Sequence, residues 1–264
     1  MNKFLVIGNP IEHSLSPKLH NYWIKNHGLN AVYDKKKLEI NELEKIIIDI
    51  REKKLKGINV TVPFKQAIIP FLDKLTLEAR STHSVNTVYI DQNRVVGHNT
   101  DIEGFKKAIE KINFNLSKKT VLILGAGGVV PSLIFALRKM NVSKIIITNR
   151  TREKAEKLKY LFKNTKILEW GKLIPSDMII NATSLGLKKE DNLELDFSNL
   201  GKNKFFYDII YNPPETNFLK KGKELGHKTE NGKLMFVYQA LGAFNLWHKS
   251  KIKIDDHAIN LLNK

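Results

Sequence analysis

The chain of 264 residues carries 44 Lys+Arg against 27 Asp+Glu, a net charge of +17, with 42% hydrophobic and 27% charged residues. That balance excludes whole-chain disorder, and the length suits one large domain or two modest ones with real cores. The absence of cysteine excludes a disulfide scaffold, a thiolate nucleophile and a cysteine-held metal, and it fits a reducing cytoplasm.

The N-terminal MNKFLVIGNPIEHS lacks the long apolar stretch of a secretory signal, so mature protein is expected from the first residue. Lys3–Gly8 reads as a short buried strand. Ser16-Pro17 is expected to open a helix, with Ser16 as N-cap and Pro17 at the first helical position, and Gly28 to close it. Ala31–Leu38 is a second strand, and Asn41 is expected to cap an amphipathic helix running to about Lys53. Gly57–Val62 reads as a strand ended by Pro63. Ser84–Asp91 and Arg94–Gly97 read as paired strands, and Asp101 begins a helix reaching about Lys111.

The polar stretch Asn113–Lys119 marks a domain junction. Thr120–Leu124 follows as a continuous apolar strand, the kind buried on both faces of a parallel sheet. Further strands are expected at Lys144–Thr148, Lys166–Leu168, Asp177–Asn181 and Lys204–Asp208, with helices between them, and Lys233–His248 is helical. Strand-helix alternation at this spacing predicts an α/β fold with a doubly wound sheet. Thr120 to Leu137 is uncharged, but Gly125, Gly127, Gly128 and Pro131 make it a strand-turn-helix rather than a membrane span.

The positive charge raises a nucleic-acid hypothesis. Only six of the basic residues are Arg, and the Lys runs lack the aromatic interleaving of a base-stacking groove. A lysine-rich solvated surface that draws in small anions fits better.

Gly125-Ala126-Gly127-Gly128 follows the Thr120–Leu124 strand at once and precedes a helix. The first glycine permits a tight turn, and the second lets the backbone approach a pyrophosphate at the helix N-terminus. The third glycine of the dinucleotide fingerprint is replaced by Val130. The next strand ends in Asn149-Arg150-Thr151-Arg152, where an NAD site usually carries a carboxylate. Two guanidiniums and a hydroxyl suit the 2′-phosphate of NADP instead. Thr151 also serves as an ordinary N-cap in a plainer reading.

The N-terminal part sets polar residues in apolar company. Ser14 and Ser16 place two hydroxyls beside a helix N-terminus. Asn59 and Thr61 share one strand face, and Lys65 lies just past that strand's end. Asn86 and Asp101 follow at the ends of later elements. Each has a bland alternative, such as Ser16 or Asp101 acting only as a helix cap. Caps alone do not account for four such sites within about a hundred residues.

The motifs SLSP, NVTVPFK, VNT, NTDxxGF, GAGG, NRT, NATSxGL, DxxYNP and YQA, in this order from Ser14 to Gln239, together resemble the shikimate dehydrogenase family. The resemblance implies reversible NADP-dependent reduction of 3-dehydroshikimate to shikimate in aromatic amino-acid biosynthesis. It implies an N-terminal α/β substrate domain, residues 1–100 completed by C-terminal helices over 233–264, and a Rossmann-like NADP domain over 101–232, with the active site in the cleft between them. Ser14 and Ser16 are implied to bind the substrate carboxylate, and Asn59, Thr61, Asn86, Asp101, Tyr211 and Gln239 its hydroxyls and ring. Lys65 and Asp101 match the catalytic pair. Gly125, Ala126, Gly127, Gly128 and Val129 match the pyrophosphate segment, and Asn149, Arg150, Thr151, Arg152 and Lys154 the 2′-phosphate segment. Ala182, Thr183, Ser184, Ile209 and Gly232 are implied to line the adenosine and nicotinamide. The chain departs from the family at Val129-Val130-Pro131, at Ser81-Thr82-His83-Ser84 where Gly-Ala is common before VNT, and at Leu77 where an acidic residue is frequent.

Hydride transfer needs a proton donor to the developing alkoxide and no metal, and no His set here has metal-ligand spacing. Lys65 is the expected donor, with Asp101 as its orienting partner. The expected partner is a small molecule, without nucleic acid or membrane, in a cytoplasmic enzyme for which a homodimer is allowed. The alternatives are an NAD-using quinate/shikimate dehydrogenase and a non-catalytic nucleic-acid-binding protein on the same fold.

Overall fold

Short apolar strands and amphipathic helices alternate along residues 1–263, which the structure, a computed structural model, describes. Contacts divide the chain into two units, Met1–Gly104 with the stretch from Val237 onward, and Phe105–Phe236. The division falls inside a helix, ahead of the polar Asn113–Lys119 stretch.

The first unit begins with β1 (Asn2–Gly8), α1 (Ser16–Asn26), β2 (Ala31–Lys37), α2 (Leu43–Arg51) and β3 (Gly57–Val60). It continues through α3 (Phe64–Ala67), β4 (Lys74–Leu75), α4 (Leu77–Thr82), β5 (Thr87–Asp91), β6 (Arg94–His98) and the start of α5 (Asp101–Ile112). The sheet runs β2-β1-β3-β5-β6-β4. Strands β1, β2 and β3 are parallel, and β5 is antiparallel to both β3 and β6. Helix α2 buries Leu43, Ile46, Ile47 and Ile50, the spacing of one helix face, against Ile7, Ile58, Val60 and Val88.

Several local expectations are corrected. Leu15, not Ser16, occupies the N-cap position of α1, and the Ser14 hydroxyl accepts the Ser16 N–H at 3.3 Å. Asn41 lies within a 3₁₀ turn, and the capping box is formed by Glu39 and Glu42. β3 ends at Val60, so Thr61 stands beyond the strand rather than sharing its face with Asn59, and its N–H donates to Ile7 O at 2.9 Å. β5 starts at Thr87, and β4 and α4 went unforeseen. α4 ends at His83 in the left-handed conformation (φ 46°), which glycine adopts without a Cβ clash.

The second unit holds the rest of α5, then β7 (Thr120–Leu124), α6 (Val130–Lys139), β8 (Lys144–Thr148), α7 (Arg152–Leu161) and β9 (Thr165–Leu168). β10 (Met178–Asn181), β11 (Phe205–Asp208), α8 (Asn217–Glu224) and β12 (Lys228–Glu230) follow. Its sheet is parallel throughout, in the order β12-β11-β10-β7-β8-β9. That is the doubly wound order, and it reverses direction between β7 and β10, the place where such sheets receive ligands. Val121 to Leu124 are fully buried, as an uncharged strand with helices on both faces requires.

Helix α9 (Lys233–His248) returns the chain to the first unit, followed by α10 (Asp256–Asn260). On the sheet face opposite α2, Phe244 and Trp247 of α9 pack with His20, Trp23, Tyr33 and Phe4. Gly57 makes this packing close, because a Cβ there would lie 2.2 Å from Trp247 Nε1. The same indole N–H donates to Val88 O at 3.0 Å and ties α9 to β5. Gly57→Ala is expected to displace the indole and lower unfolding free energy by about 1–3 kcal/mol in denaturant titration. Trp247→Leu in the same background should recover part of that loss.

Candidate functional site

The first unit gathers its polar motifs around one carboxylate. Lys65, on the short helix α3 just past β3, places Nζ 2.5 Å from Asp101 Oδ2, with side chains 12% and 8% exposed. Asp101 opens α5, and its backbone N–H is held by Asn99 Oδ1 at 3.1 Å. Its second oxygen, Oδ1, accepts from Asn86 Nδ2 at 2.8 Å. Asn86 Nδ2 also reaches Thr100 Oγ1 at 2.9 Å and Gln239 Oε1 at 3.4 Å, and Asn86 Oδ1 accepts the Thr100 N–H at 2.8 Å. The main chain joins the same assembly, with Val85 N–H donating to Lys65 O and Val60 N–H to Asn86 O, both at 2.9 Å.

Asn59 is buried beneath this network. Its Oδ1 accepts the Tyr33 hydroxyl at 2.7 Å, and its Nδ2 donates to Asn86 O at 3.0 Å and Thr87 Oγ1 at 3.1 Å. Lys65, Asn86, Asp101 and Gln239 are thus brought together. Asn59 touches them from below through Asn86, and Ser14 and Ser16 stand at the start of α1. Tyr211 lies in the second unit, stacked on Phe236 with centroids 4.3 Å apart.

At the switch point of the second unit, the Gly125–Val129 turn links β7 to α6. Gly125 has φ +111°, and a Cβ on it would lie 2.7 Å from Ala182 O, so the chain itself requires glycine there. Gly127 and Gly128 are different. A Cβ on Gly127 would meet nothing nearer than Ala182 O at 3.7 Å, and one on Gly128 nothing within 4 Å. Neither internal packing nor a positive φ demands these two glycines, whereas close approach of a pyrophosphate to the backbone would. Val130 begins α6 fully buried with Pro131 buried beside it, so the third fingerprint position serves helix–sheet packing.

After β8, Asn149 Nδ2 donates to Thr151 O at 2.6 Å, and Thr151 occupies the N-cap position of α7. Its hydroxyl makes no capping hydrogen bond, so the plainer reading of Thr151 accounts for its place but not its side chain. Arg150, Arg152 and Lys154 are exposed around it. Arg152 Nε is 3.4 Å from Glu156 Oε1. This donor set fits a phosphate on the adenosine ribose, and the glycine turn fits the pyrophosphate.

Two residues of this region escaped the sequence reading. Asn181 ends β10 and Asp208 ends β11, and Asn181 Nδ2 donates to Asp208 Oδ2 at 3.1 Å. Burial pushes the Asp208 carboxyl up to about 6, against hydrogen bonds from Thr216, Ile210 and Asn181 that pull it down. Both residues stood inside recognised motifs, and the available signal was a lone polar side chain closing an apolar strand, MIIN and FFYD. Tyr33, whose hydroxyl orients Asn59, carried no such signal.

Comparison with known proteins agrees with this geometry. The profile of the shikimate dehydrogenase substrate binding domain matches residues 6–88, and that of shikimate / quinate 5-dehydrogenase matches residues 106–213. Shikimate dehydrogenase (NADP(+)) of Pelagibacter ubique is 56% identical over 260 residues, 98% of each chain. The crystal structure of shikimate dehydrogenase from Aquifex aeolicus superposes with a TM-score of 0.88 at 37% identity, covering 100% of this chain and 96% of that one. The Thermus thermophilus shikimate 5-dehydrogenase, solved in complex with NADP(H) and shikimate, gives 0.90 at 30% identity, covering 100% and 99%. The chain belongs to the shikimate dehydrogenase family.

Proposed function

We propose that this chain reduces 3-dehydroshikimate to shikimate reversibly with NADPH, as a cytoplasmic step of aromatic amino-acid biosynthesis with a small molecule, and neither nucleic acid nor membrane, as partner. The observation that carries the chemistry is the largely buried Lys65–Asp101 pair, 2.5 Å apart and held by Asn86. When bound, NADPH supplies the hydride. Lys65 supplies the proton to the carbonyl oxygen and stabilises the alkoxide as it develops. One of its three N–H bonds is committed to Asp101, which leaves two for substrate oxygens. Asp101 orients the ammonium and, with Asn86 and Gln239, offers partners to the ring hydroxyls. Ser14 and Ser16 hold the substrate carboxylate at the start of α1. Asn59 supports Asn86, and Thr61 and Tyr211 keep the substrate roles that their motifs carry. On the cofactor side, Gly125 to Val129 receive the pyrophosphate and Asn149 to Lys154 the 2′-phosphate. Ala182, Thr183, Ser184, Ile209 and Gly232 line the remainder.

No described helix is long and apolar enough to cross a membrane. Oxidation of shikimate by the purified chain, followed at the nicotinamide absorbance, is expected to proceed with NADP⁺ far faster than with NAD⁺. Preference for quinate with NAD⁺ would transfer the chain to the rival dehydrogenase, and no turnover with any pair would overturn the reading.

Lys65→Met is expected to lower kcat by about 10²-fold or more while shikimate KM stays within a few-fold, because the proton donor acts mainly in the transition state. Wild-type turnover in that variant would remove Lys65 from the mechanism. Arg150→Ala should raise KM for NADP⁺ by about tenfold, the scale of one charge-assisted hydrogen bond, and leave KM for NAD⁺ unchanged. Equal losses with both cofactors would contradict a 2′-phosphate role.

A further inference from the structure

Asp208 is fully buried, and among the described residues its carboxylate receives three hydrogen bonds and no cation. Ile210 N–H donates to Oδ1 at 2.9 Å, and Thr216 Oγ1 and Asn181 Nδ2 donate to Oδ2 at 2.6 and 3.1 Å. From Asp208 the bonding runs onward in one direction. Asn181 Nδ2 also donates to Leu185 O at 3.0 Å, so Asn181 Oδ1 is left to accept from Thr183 N at 3.1 Å and Thr183 Oγ1 at 2.7 Å. Leu185 N–H in turn donates to Thr183 Oγ1 at 3.0 Å. The Asn181 amide therefore has one allowed orientation, fixed together by the Leu185 carbonyl, the Thr183 N–H and the acceptor at Asp208.

The segments fixed in this way are those assigned to the cofactor. Ala182 O is the atom that forbids a side chain at Gly125, and Ile209 N–H donates to Asn181 O at 3.0 Å. A Cβ on Gly232 would lie 2.1 Å from Ile209 O, so the 208–210 stretch is clamped from that side too.

We propose that Asp208 is a positioning residue for NADP(H), a carboxylate that acts through Asn181 and Thr216 to hold the Ala182–Ser184 turn and Ile209 in the geometry the cofactor requires. This rests on the cofactor assignment above. An amide or a protonated carboxyl at this position adds a donor among groups that donate to it: the Ile210 N–H and Asn181 Nδ2 cannot accept, so only the Thr216 hydroxyl can meet it, by turning away from its present bond. Turning the Asn181 amide to meet it would point Nδ2 at the Thr183 N–H. Cofactor affinity then depends on an ionised Asp208. The other titratable groups against its strand are Tyr207 beside it in the chain, Lys204 just before the strand, His227 stacked on Phe206, Lys228 over the Phe205 ring and Glu230 on β12. No charge from a described residue enters the causes of its shift.

The test is a titration of wild type, Asp208→Asn, Thr216→Ser and Thr216→Val with NADP⁺, and separately with shikimate, at pH 8 and pH 5. At pH 8 Asp208→Asn should bind NADP⁺ about tenfold or more weakly, the scale of a lost buried hydrogen bond to a charged group. Its shikimate affinity should stay within about twofold of wild type, since the asparagine removes no group assigned to that ligand. At pH 5, where the wild-type carboxyl is protonated, the ratio of the two NADP⁺ dissociation constants should fall toward one. Titration of the cofactor's own phosphate cancels in that ratio. Thr216→Ser should match wild type and Thr216→Val should move toward Asp208→Asn. That pair carries the test if circular dichroism shows Asp208→Asn unfolded. An unchanged NADP⁺ affinity at pH 8, a ratio equal at both pH values, or equal losses for shikimate would overturn the proposal. A wild type that binds NADP⁺ but does not oxidise shikimate would fail the proposed function alone. One that binds no NADP⁺ would remove both.

Discussion

The first unit is organised by the need of one carboxylate for partners. Asp101 is nearly buried, and a carboxylate taken out of water is tolerable only with a counter-charge and further hydrogen bonds on its remaining lone pairs. Lys65 meets one oxygen and Asn86 the other. Asn86 is locked in turn, because Thr100 N–H and Thr87 Oγ1 both donate to its Oδ1, at 2.8 and 3.0 Å. Strands β3, β5 and β6 and helices α3 and α5 are therefore held in register by polar contacts as well as by the apolar cluster beneath α2. This explains why NVT, VNT and NTD set amides and hydroxyls among buried aliphatic residues. The polar groups satisfy one another, and the ammonium, with three N–H bonds and one given to Asp101, has donors to offer beyond the network.

Charge works differently in the second unit. Arg150, Arg152 and Lys154 are exposed, and the contact of Arg152 with Glu156 at 73% and 41% exposure contributes little to stability. An exposed guanidinium is free to follow a ligand phosphate, whereas a paired and buried one is committed. The +17 surplus surrounds this with a field that favours arrival of anions, which both the substrate and the cofactor are. Such a field raises encounter with either nicotinamide cofactor alike and does not by itself select between them.

The doubly wound sheet was legible in the sequence because its strands are continuous apolar runs closed by turn residues, as in TVLIL followed by Gly125. The Lys65–Asp101 pair was legible through motif order, not through any local rule, since 36 residues separate the two. What escaped was short or depended on tertiary contact. β4 is two residues long and owes its place to pairing with β6. Asn41 does not cap the second helix: it sits inside a 3₁₀ turn closed by a Glu39–Glu42 box, and Glu42 takes the N-cap position of the helix without a side-chain cap bond, an outcome that only geometry decides. Tyr33 could not be singled out at all. Its neighbours AVYDKKK say strand, and its partner Asn59 lies 26 residues away.

The two buried carboxylates differ in what compensates them. Asp101 has an ammonium at 2.5 Å, while Asp208 has only dipoles around it, and its carboxyl rises from an ordinary value near 3.8 to about 6. A carboxyl whose folded pKa is raised lends stability below its unfolded pKa and loses it as pH rises through the folded one. At neutral pH ionised Asp208 therefore costs about 3 kcal/mol relative to the protonated form, on the scale of 1.36 kcal/mol per pKa unit. A neutral side chain at the end of β11 would avoid that cost. None supplies two acceptor oxygens and no donor, and the chain of bonds from Leu185 through Thr183 and Asn181 ends in donors at Asp208. A fold optimised for stability alone would reverse or dissolve that chain. Keeping it places the second unit's expense at the C-terminal ends of β10 and β11, the edge at which doubly wound sheets receive ligands.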